Sequence, residues 1–385
     1  MLIGLIAAPR AFLRWHWIDL PILLYCLCPF LSSVINGLPW ADAAWETFKE
    51  FSYWFVPYAL GRFLFTDANA RNAVAWIVIG GALVYIPPTL FEIVYGPCLA
   101  RWATGEEFGR MLRGADRGGT FRPSVFLSSG FVLTMFYVWA VLLAAKKTER
   151  TFTTHLYPPL QSEPIPPSLL IRLCQAIGTT ALAVVVLWCK SLGSIVLMSV
   201  GLAIQLFLRG RLAGIALALL ALIPPVYIGL RTTGIASTDR IYGATLAFIG
   251  EPKAESLRYR LRAEDIVFDS MADHVLWGYG DWGKWREGRK TMVLDGFWLF
   301  AWTRTGMVSV MAWWAMVALP LLLIAVRLCR KGTNVTNDMV YPCALFLGLS
   351  MVDSMFNYFG EAPVMMCVGI VTAWAKELVS RKPGS

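Results

Sequence analysis

Two stretches of this chain carry more arginine than their apolar surroundings explain. Residues 96–122 hold Arg101, Arg110, Arg113, Arg117 and Arg122. Residues 231–305 hold eleven Lys or Arg side chains, among them Arg258, Arg260, Arg262, Arg286, Arg289 and Arg304, against ten Asp or Glu. A guanidinium is a planar fork that grips phosphate or carboxylate through two parallel hydrogen bonds, so clustered arginines suit an anionic substrate. The near balance of charge in the longer stretch allows a plainer reading, in which the segment pairs with itself. Carboxylates offer the complementary chemistry, because a fixed Asp accepts the proton of an attacking hydroxyl. Asp295, at the mouth of an apolar helical run, is placed either for that role or for capping the helix.

Metal and thiol chemistry find little footing. His16, His155 and His274 are far apart, and the eight cysteines are scattered without a Cys-x-x-Cys pair. The cysteines read as small core or lipid-facing residues. No Asp-x-Asp pair stands in either arginine-rich stretch, and Asp281 has no obvious partner. The expectation is a site without metal or cofactor, and nothing in the sequence calls for nucleic acid.

Membrane helices have to position these groups. Of the 385 residues, 57% are hydrophobic and 15% charged, where a soluble domain carries about 25% charged residues. Apolar runs recur at 17–35, 47–65, 73–95, 123–145, 169–189, 191–208, 212–230, 306–326, 340–359 and 362–379. The fold expected is an all-α, polytopic integral membrane protein of about ten transmembrane helices with a large helical periplasmic loop. Three regions follow: an N-terminal transmembrane bundle at 1–230, a long outer loop at 231–305, and C-terminal transmembrane helices at 306–385. With the N-terminus in the cytoplasm, every short inside connection is basic, from Arg10 and Arg14 through Lys146, Lys147, Arg150 and Arg172 to Arg327 and Arg330. The first outside loop, 36–46, has no Lys or Arg. That is the asymmetry of inner-membrane proteins.

Within the long loop, 256–277 lacks Gly and Pro and is predicted helical. Tyr259, Ala263, Ile266, Val267 and Met271 form an apolar stripe at helical spacing, with Arg258, Arg262, Asp265 and Asp269 on another face. Arg260 and Glu264 stand four residues apart, the spacing of a helix-surface ion pair. A turn at Gly278-Tyr279-Gly280-Asp281 leads to Trp282, Trp285, Arg286 and Arg289. These aromatics read as an interfacial belt, with stacking on sugar faces as the other reading.

The ordered set resembles the O-antigen ligase and polymerase superfamily of bacterial envelope glycosyltransferases. Arg260 is followed eighteen positions later by Gly278-Tyr279-Gly280, with His274-Val275-Leu276-Trp277 before it. Asp295-Gly296-Phe297 and Arg304-Thr305-Gly306 come next in order. Upstream, Arg117-Gly118-Gly119-Thr120-Phe121-Arg122-Pro123, Glu92 ahead of Gly96, and Lys190-Ser191-Leu192-Gly193 resemble further family segments. The resemblance runs over about 85–326. The ligase-type histidine falls at Leu294 and the ligase-type arginine at Leu192, departures that suit a polymerase-like member better than a ligase.

What the resemblance implies is transfer or polymerisation of glycans carried on polyprenyl pyrophosphate, at the outer face of a bacterial inner membrane. The active site would face the periplasm or cell exterior. Partners would be the lipid-linked oligosaccharide, membrane lipid and other polysaccharide-assembly proteins. Asp295 and Arg260 would be catalytic. Arg117, Arg122, Arg258, Arg262, Lys190, Glu92 and Arg304 would bind substrate. Ligase-type transfer to a lipid or protein acceptor, and non-enzymatic transport of a lipid-linked glycan, are the alternatives. A transporter would show paired repeats or broken helices in two halves, and no clear repeat is present.

Overall fold

The computed structural model describes residues 15–105, 119–156, 169–289, 294–330, 335–357 and 361–380. Their main elements are all helices: α1 (Leu20–Ile35), α2 (Trp40–Glu50), α3 (Val56–Leu64), α4 (Ala68–Tyr95), α5 (Leu99–Thr104), α6 (Gly130–Leu156), α7 (Leu169–Trp188), α8 (Leu192–Phe207), α9 (Gly210–Thr232), α10 (Thr238–Ile249), α11 (Glu251–Ser270), α12 (Trp282–Arg286), α13 (Phe297–Cys329), α14 (Tyr341–Asp353) and α15 (Ala362–Ser380). Among them, seven helices are long and apolar enough to cross a membrane: Trp17–Ile35, Ala68–Tyr95, Gly130–Phe152, Leu169–Trp188, Gly210–Thr232, Phe297–Cys329 and Ala362–Ser380. Leu192–Phe207 and Tyr341–Asp353 are apolar but shorter.

The run at 47–65 is not one plain apolar helix. A π turn at Phe51–Phe55 joins α2 to α3, and Glu50 is buried just before it. α13 begins nine residues before the span expected at 306–326 and is kinked at Gly306, whose φ is 85°.

The chain divides into two compact units, which run across the sequence boundaries expected at 230 and 305. One comprises Met1–Phe65, Leu217–Val326 and Ser350–Ser385; the other comprises Thr66–Ala216 and Arg327–Leu349.

In the first unit, glycines let backbones touch. A Cβ on Gly61 would lie 2.0 Å from the Met366 carbonyl oxygen, and one on Gly369 would lie 2.1 Å from that of Tyr58. α3 and α15 therefore pack main chain to main chain, as small residues allow between membrane helices. Asp19, buried ahead of α1, accepts hydrogen bonds from Tyr58 Oη (2.5 Å) and Arg62 Nε (2.9 Å). The pair thus ties the entry of α1 to α3.

The second unit is built on α4, α6, α7 and α8. Asp67 caps α4 by accepting from the Ala70 N–H at 2.7 Å, and Gly96, with φ of 90°, ends it. Trp139 on α6 stacks on Phe346 of α14 at 5.1 Å between ring centroids. Gln205 on α8 donates to the Leu142 carbonyl on α6 at 3.0 Å, which satisfies an amide hydrogen in a setting with no water to take it.

Candidate functional site

α11 carries Arg260, and its position is set from beneath. Its buried face is made by Ala254, Leu261, Ala263, Glu264, Val267 and Met271, while Tyr259 and Ile266 are exposed. The apolar stripe read from sequence is therefore turned, and a carboxylate lies at the centre of the true one. Glu264 survives there because Arg231, from the end of α9, reaches it at 2.6 Å with Nε, and Tyr227 donates its hydroxyl at 2.7 Å. Arg231 also donates to Asp265 (2.9 Å), to the Leu261 carbonyl (3.0 Å) and to the Ala236 carbonyl (2.7 Å). Thr238 closes the ring by donating to Asp265 at 2.6 Å. Burial still holds the Glu264 carboxyl above its usual pKa, against the pull of Arg231 and Tyr227.

With Glu264 engaged inward, the helix-surface pair expected between Arg260 and Glu264 does not form. Arg260 Nε instead meets Asp295 Oδ2 at 2.9 Å, the two side chains being 29% and 35% exposed. Asp295 is positioned by its neighbours in sequence. A Cβ on Gly296 would come 2.5 Å from the Met355 carbonyl oxygen. The Phe297 N–H bonds the carbonyls of Ser354 and Asn357 at 3.0 and 3.1 Å. α13 starts at Phe297, so Gly296 stands at the cap position, and its carbonyl accepts from the Phe300 N–H. Asp295 is not the cap: among the described residues its carboxylate makes no hydrogen bond to a backbone N–H. The two residues read as catalytic from sequence thus meet in one half-exposed ion pair.

Arg258 and Arg262 do not join it. Positions two apart on a helix point about 200° apart. Arg258 instead pairs with Glu255 at 3.3 Å and lies 4.6 Å from the Tyr242 ring centre. The Tyr242 hydroxyl donates to Glu255 at 2.7 Å, and that hydrogen bond pulls the Glu255 carboxyl below its usual range. Arg262 is exposed on the same side.

Helix α11 runs from Glu251 to Ser270, where the sequence suggested 256–277. It stops early because later residues return to its end. Tyr279 donates its hydroxyl to the Ser270 carbonyl at 2.8 Å, the acceptor that a further helical turn would use. Trp285 Nε1 donates to Ser270 Oγ at 3.0 Å, and the Trp285 ring is wholly buried. Trp285 is thus a packing residue and not part of an exposed aromatic belt. Asp281 accepts from the Gly283 N–H at 3.1 Å and caps α12.

The glycine segment and the Arg304-Thr305-Gly306 segment meet as a backbone joint. Tyr279 and Gly280 donate to the carbonyls of Thr303 (3.0 Å) and Arg304 (2.9 Å), and Met307 donates to that of Val275 (2.9 Å). A Cβ on Gly278 would lie 2.7 Å from the Gly306 nitrogen, and one on Gly306 would lie 2.0 Å from the Leu276 carbonyl oxygen. Ser33 and Asn36, at the end of α1, donate to the carbonyls of Gly280 and Gly278 at 3.1 and 3.0 Å. These glycines serve close approach. Arg304 Nη1 and Nη2 are held by Glu50 (2.5 Å) and Glu46 (2.7 Å) of α2, so its guanidinium is already matched by two carboxylates.

In the other unit, a second group of the singled-out residues assembles. Glu92 is fully buried and accepts from the Leu99 N–H (3.0 Å), the Ser124 N–H (2.8 Å) and the Val125 N–H (2.7 Å). It fastens the chain after α4 to the segment before α6. That contact orders Arg122, whose Nη2 donates to Ser191 Oγ at 3.1 Å and whose guanidinium lies 3.3 Å from the Phe131 ring centre. Lys190 precedes Ser191 in the tight turn between α7 and α8, at φ of 50°. Glu92, Arg122 and Lys190 therefore share one end of this unit. Arg117, with Arg110 and Arg113, lies outside the described residues.

Sequence reasoning missed Arg231 and Tyr227 and placed Glu264 on the helix surface instead of against them. A signal was present: Leu261, Glu264, Phe268 and Met271 fall at helical spacing, and a charge inside an apolar stripe calls for a buried partner.

No protein-family model matches the chain, and no curated protein matches it in sequence.

Proposed function

We propose that this chain is a membrane glycosyltransferase that polymerises glycans carried on polyprenyl pyrophosphate, without a metal. The Arg260–Asp295 pair supports this reading best. It joins the two residue types the reaction needs, a guanidinium for the leaving pyrophosphate and a carboxylate for the acceptor hydroxyl, within 2.9 Å and open to solvent.

The acceptor hydroxyl oxygen attacks the anomeric carbon of the donor sugar, the bond from that carbon to the pyrophosphate oxygen breaks, and the hydroxyl proton passes to Asp295. Before substrate binds, each partner occupies the other. The donor pyrophosphate competes for Arg260 as a stronger, bidentate ligand. Asp295 is then released as a base at the moment the donor is seated. Guanidinium charge offsets the negative charge that grows on the departing pyrophosphate. Arg122 and Lys190 are the further cations of the reading.

About ten crossings, cytoplasmic termini and an outer 231–305 segment complete the proposal, in a bacterial inner membrane. Sidedness is tested by labelling native Cys329, which is exposed, against a cysteine introduced at exposed Lys284. Labelling of both from one side overturns it. Activity is tested with purified protein in lipid nanodiscs and a synthetic polyprenyl-pyrophosphate oligosaccharide. Chains of several repeats with release of polyprenyl pyrophosphate support a polymerase. Transfer of a single unit only to an added lipid or protein acceptor means a ligase. No consumption of donor removes the reading.

A further inference from the structure

The second unit carries a groove that the glycan chemistry does not use. It has a volume of about 360 Å³ and runs between α4, α6 and α7. Its walls are apolar, with Trp76 and Leu83 from α4, Ala144 from α6, and Ile171 and Cys174 from α7. α7 is the least buried of the seven span-length helices, so this side of the unit faces lipid when the helices cross a bilayer.

One end of the groove is cationic. Lys147 lines it, with Nζ 4.0 Å from the Trp76 ring centre and 2.6 Å from Asn72 Oδ1. No carboxylate lies within ion-pair distance of Lys147 among the described residues. Arg172 follows Ile171 on α7, and its Nε is buried without a hydrogen-bond partner. Gln175, one turn on and in the groove wall, has its Oε1 in the same state. Acids near this end are already engaged: Glu149 holds Lys146 and Arg209, and Asp338 holds Arg71. A lysine in the wall of an apolar slot, without a carboxylate partner among the described residues and with Arg172 one turn before the wall residue Gln175, matches one ligand chemistry, a negatively charged headgroup with a hydrocarbon tail.

We propose that this groove is a binding site for an anionic phospholipid. An acyl chain lies along Trp76 and Cys174, and the phosphate sits at the Lys147 and Arg172 end. The site stands independently of the glycosyl-transfer reading, since none of its residues belongs to that machinery.

The test uses the full chain, purified and delipidated in detergent, titrated with phosphatidylglycerol or phosphatidylcholine of identical acyl chains and followed by native mass spectrometry. Juxtamembrane cations contribute about fivefold each to anionic-lipid binding. Lys147→Gln with Arg172→Gln should therefore weaken phosphatidylglycerol binding about 25-fold and leave phosphatidylcholine unchanged. In the wild type, phosphatidylglycerol should protect Cys174 from a maleimide while exposed Cys329 reacts as before. Equal affinity for the two lipids overturns the proposal. So does a double variant that binds phosphatidylglycerol like the wild type, or protection of Cys174 by millimolar inorganic phosphate alone, which would make the site a headgroup pocket without a lipid slot.

Discussion

α11 carries one member of each of two arginine–carboxylate pairs, four residues apart. Arg231–Glu264 is sealed, with side chains 1% and 2% exposed, and the guanidinium also donates to Asp265 and to the Ala236 and Leu261 carbonyls. Arg260–Asp295 is 29% and 35% exposed, and Arg260 meets Asp295 through Nε at 2.9 Å. Burial makes the first pair costly to break, because removing one partner strands the other charge in a poorly solvated interior. Exposure makes the second cheap to open, because water and salt take over the lost contacts. One pair holds the helix; the other can exchange partners. The same ion-pair chemistry is turned to anchorage or to recognition by its distance from water.

The largest effect expected is on the sealed pair. Glu264→Ala leaves Arg231 buried with only Asp265 as counter-charge, and should lose about 3–5 kcal/mol of stability. Thermal unfolding of the purified chain in detergent would report this as a large fall in Tm. Adding Arg231→Met should recover part of the loss, since an apolar replacement of both partners is tolerated far better than half a pair. A Tm for Glu264→Ala equal to the wild type would mean that α11 is not anchored through this network.

The open pair should separate activity from stability. Asp295→Asn keeps the shape and removes the base, so turnover should fall about 10²–10⁴-fold. Because Asp295 does not cap α13, the Tm should hold. Near-normal glycan elongation at matched Tm would demote Asp295 and leave the acceptor base unassigned.

Arg260→Lys keeps the positive charge but loses the fork. The loss expected is about 10²–10³-fold in turnover, with a stability change under about 1 kcal/mol, as for exposed pairs. Turnover within twofold of wild type, about the noise of such an assay, would mean that a point charge suffices and that bidentate phosphate recognition is not what Arg260 supplies.

The legibility of this protein follows the range of its interactions. Span-length helices were readable because apolar content is a local property, and seven of the runs expected from sequence stand as such helices. Local punctuation was readable too: the run expected to end at 95 stops at Tyr95, and the turn expected at 278–281 is present. The true face and length of α11 were not readable. Arg231 lies 33 positions before Glu264, and the hydroxyl that ends the helix comes from Tyr279, nine positions on. The two glycine segments were visible as motifs. Their role as a joint between 278–280 and 303–306 depends on a tertiary approach that spacing does not encode. Arg260 and Asp295 were each marked by the family resemblance. Their meeting followed only once Glu264 was found facing inward.

The smallest effect sharpens the comparison most narrowly, because it concerns the same helix. Arg258 and Arg262 lie about 200° from Arg260 around α11. Arg258 is occupied by Glu255 and the face of Tyr242, away from Asp295. If the basic character of α11 as a whole attracted the donor, removing Arg258 would weaken binding nearly as much as removing Arg260, and both effects would fade together with added salt. If one fork reads the pyrophosphate, Arg258→Ala should leave kcat unchanged and raise KM less than threefold, about what the loss of one screened surface charge gives. Arg260→Ala should instead lower kcat at every salt concentration. The measurement is kcat and KM for donor consumption by both variants at low and high ionic strength. Matching salt-sensitive losses in the two variants would replace the single-fork reading with general electrostatic attraction.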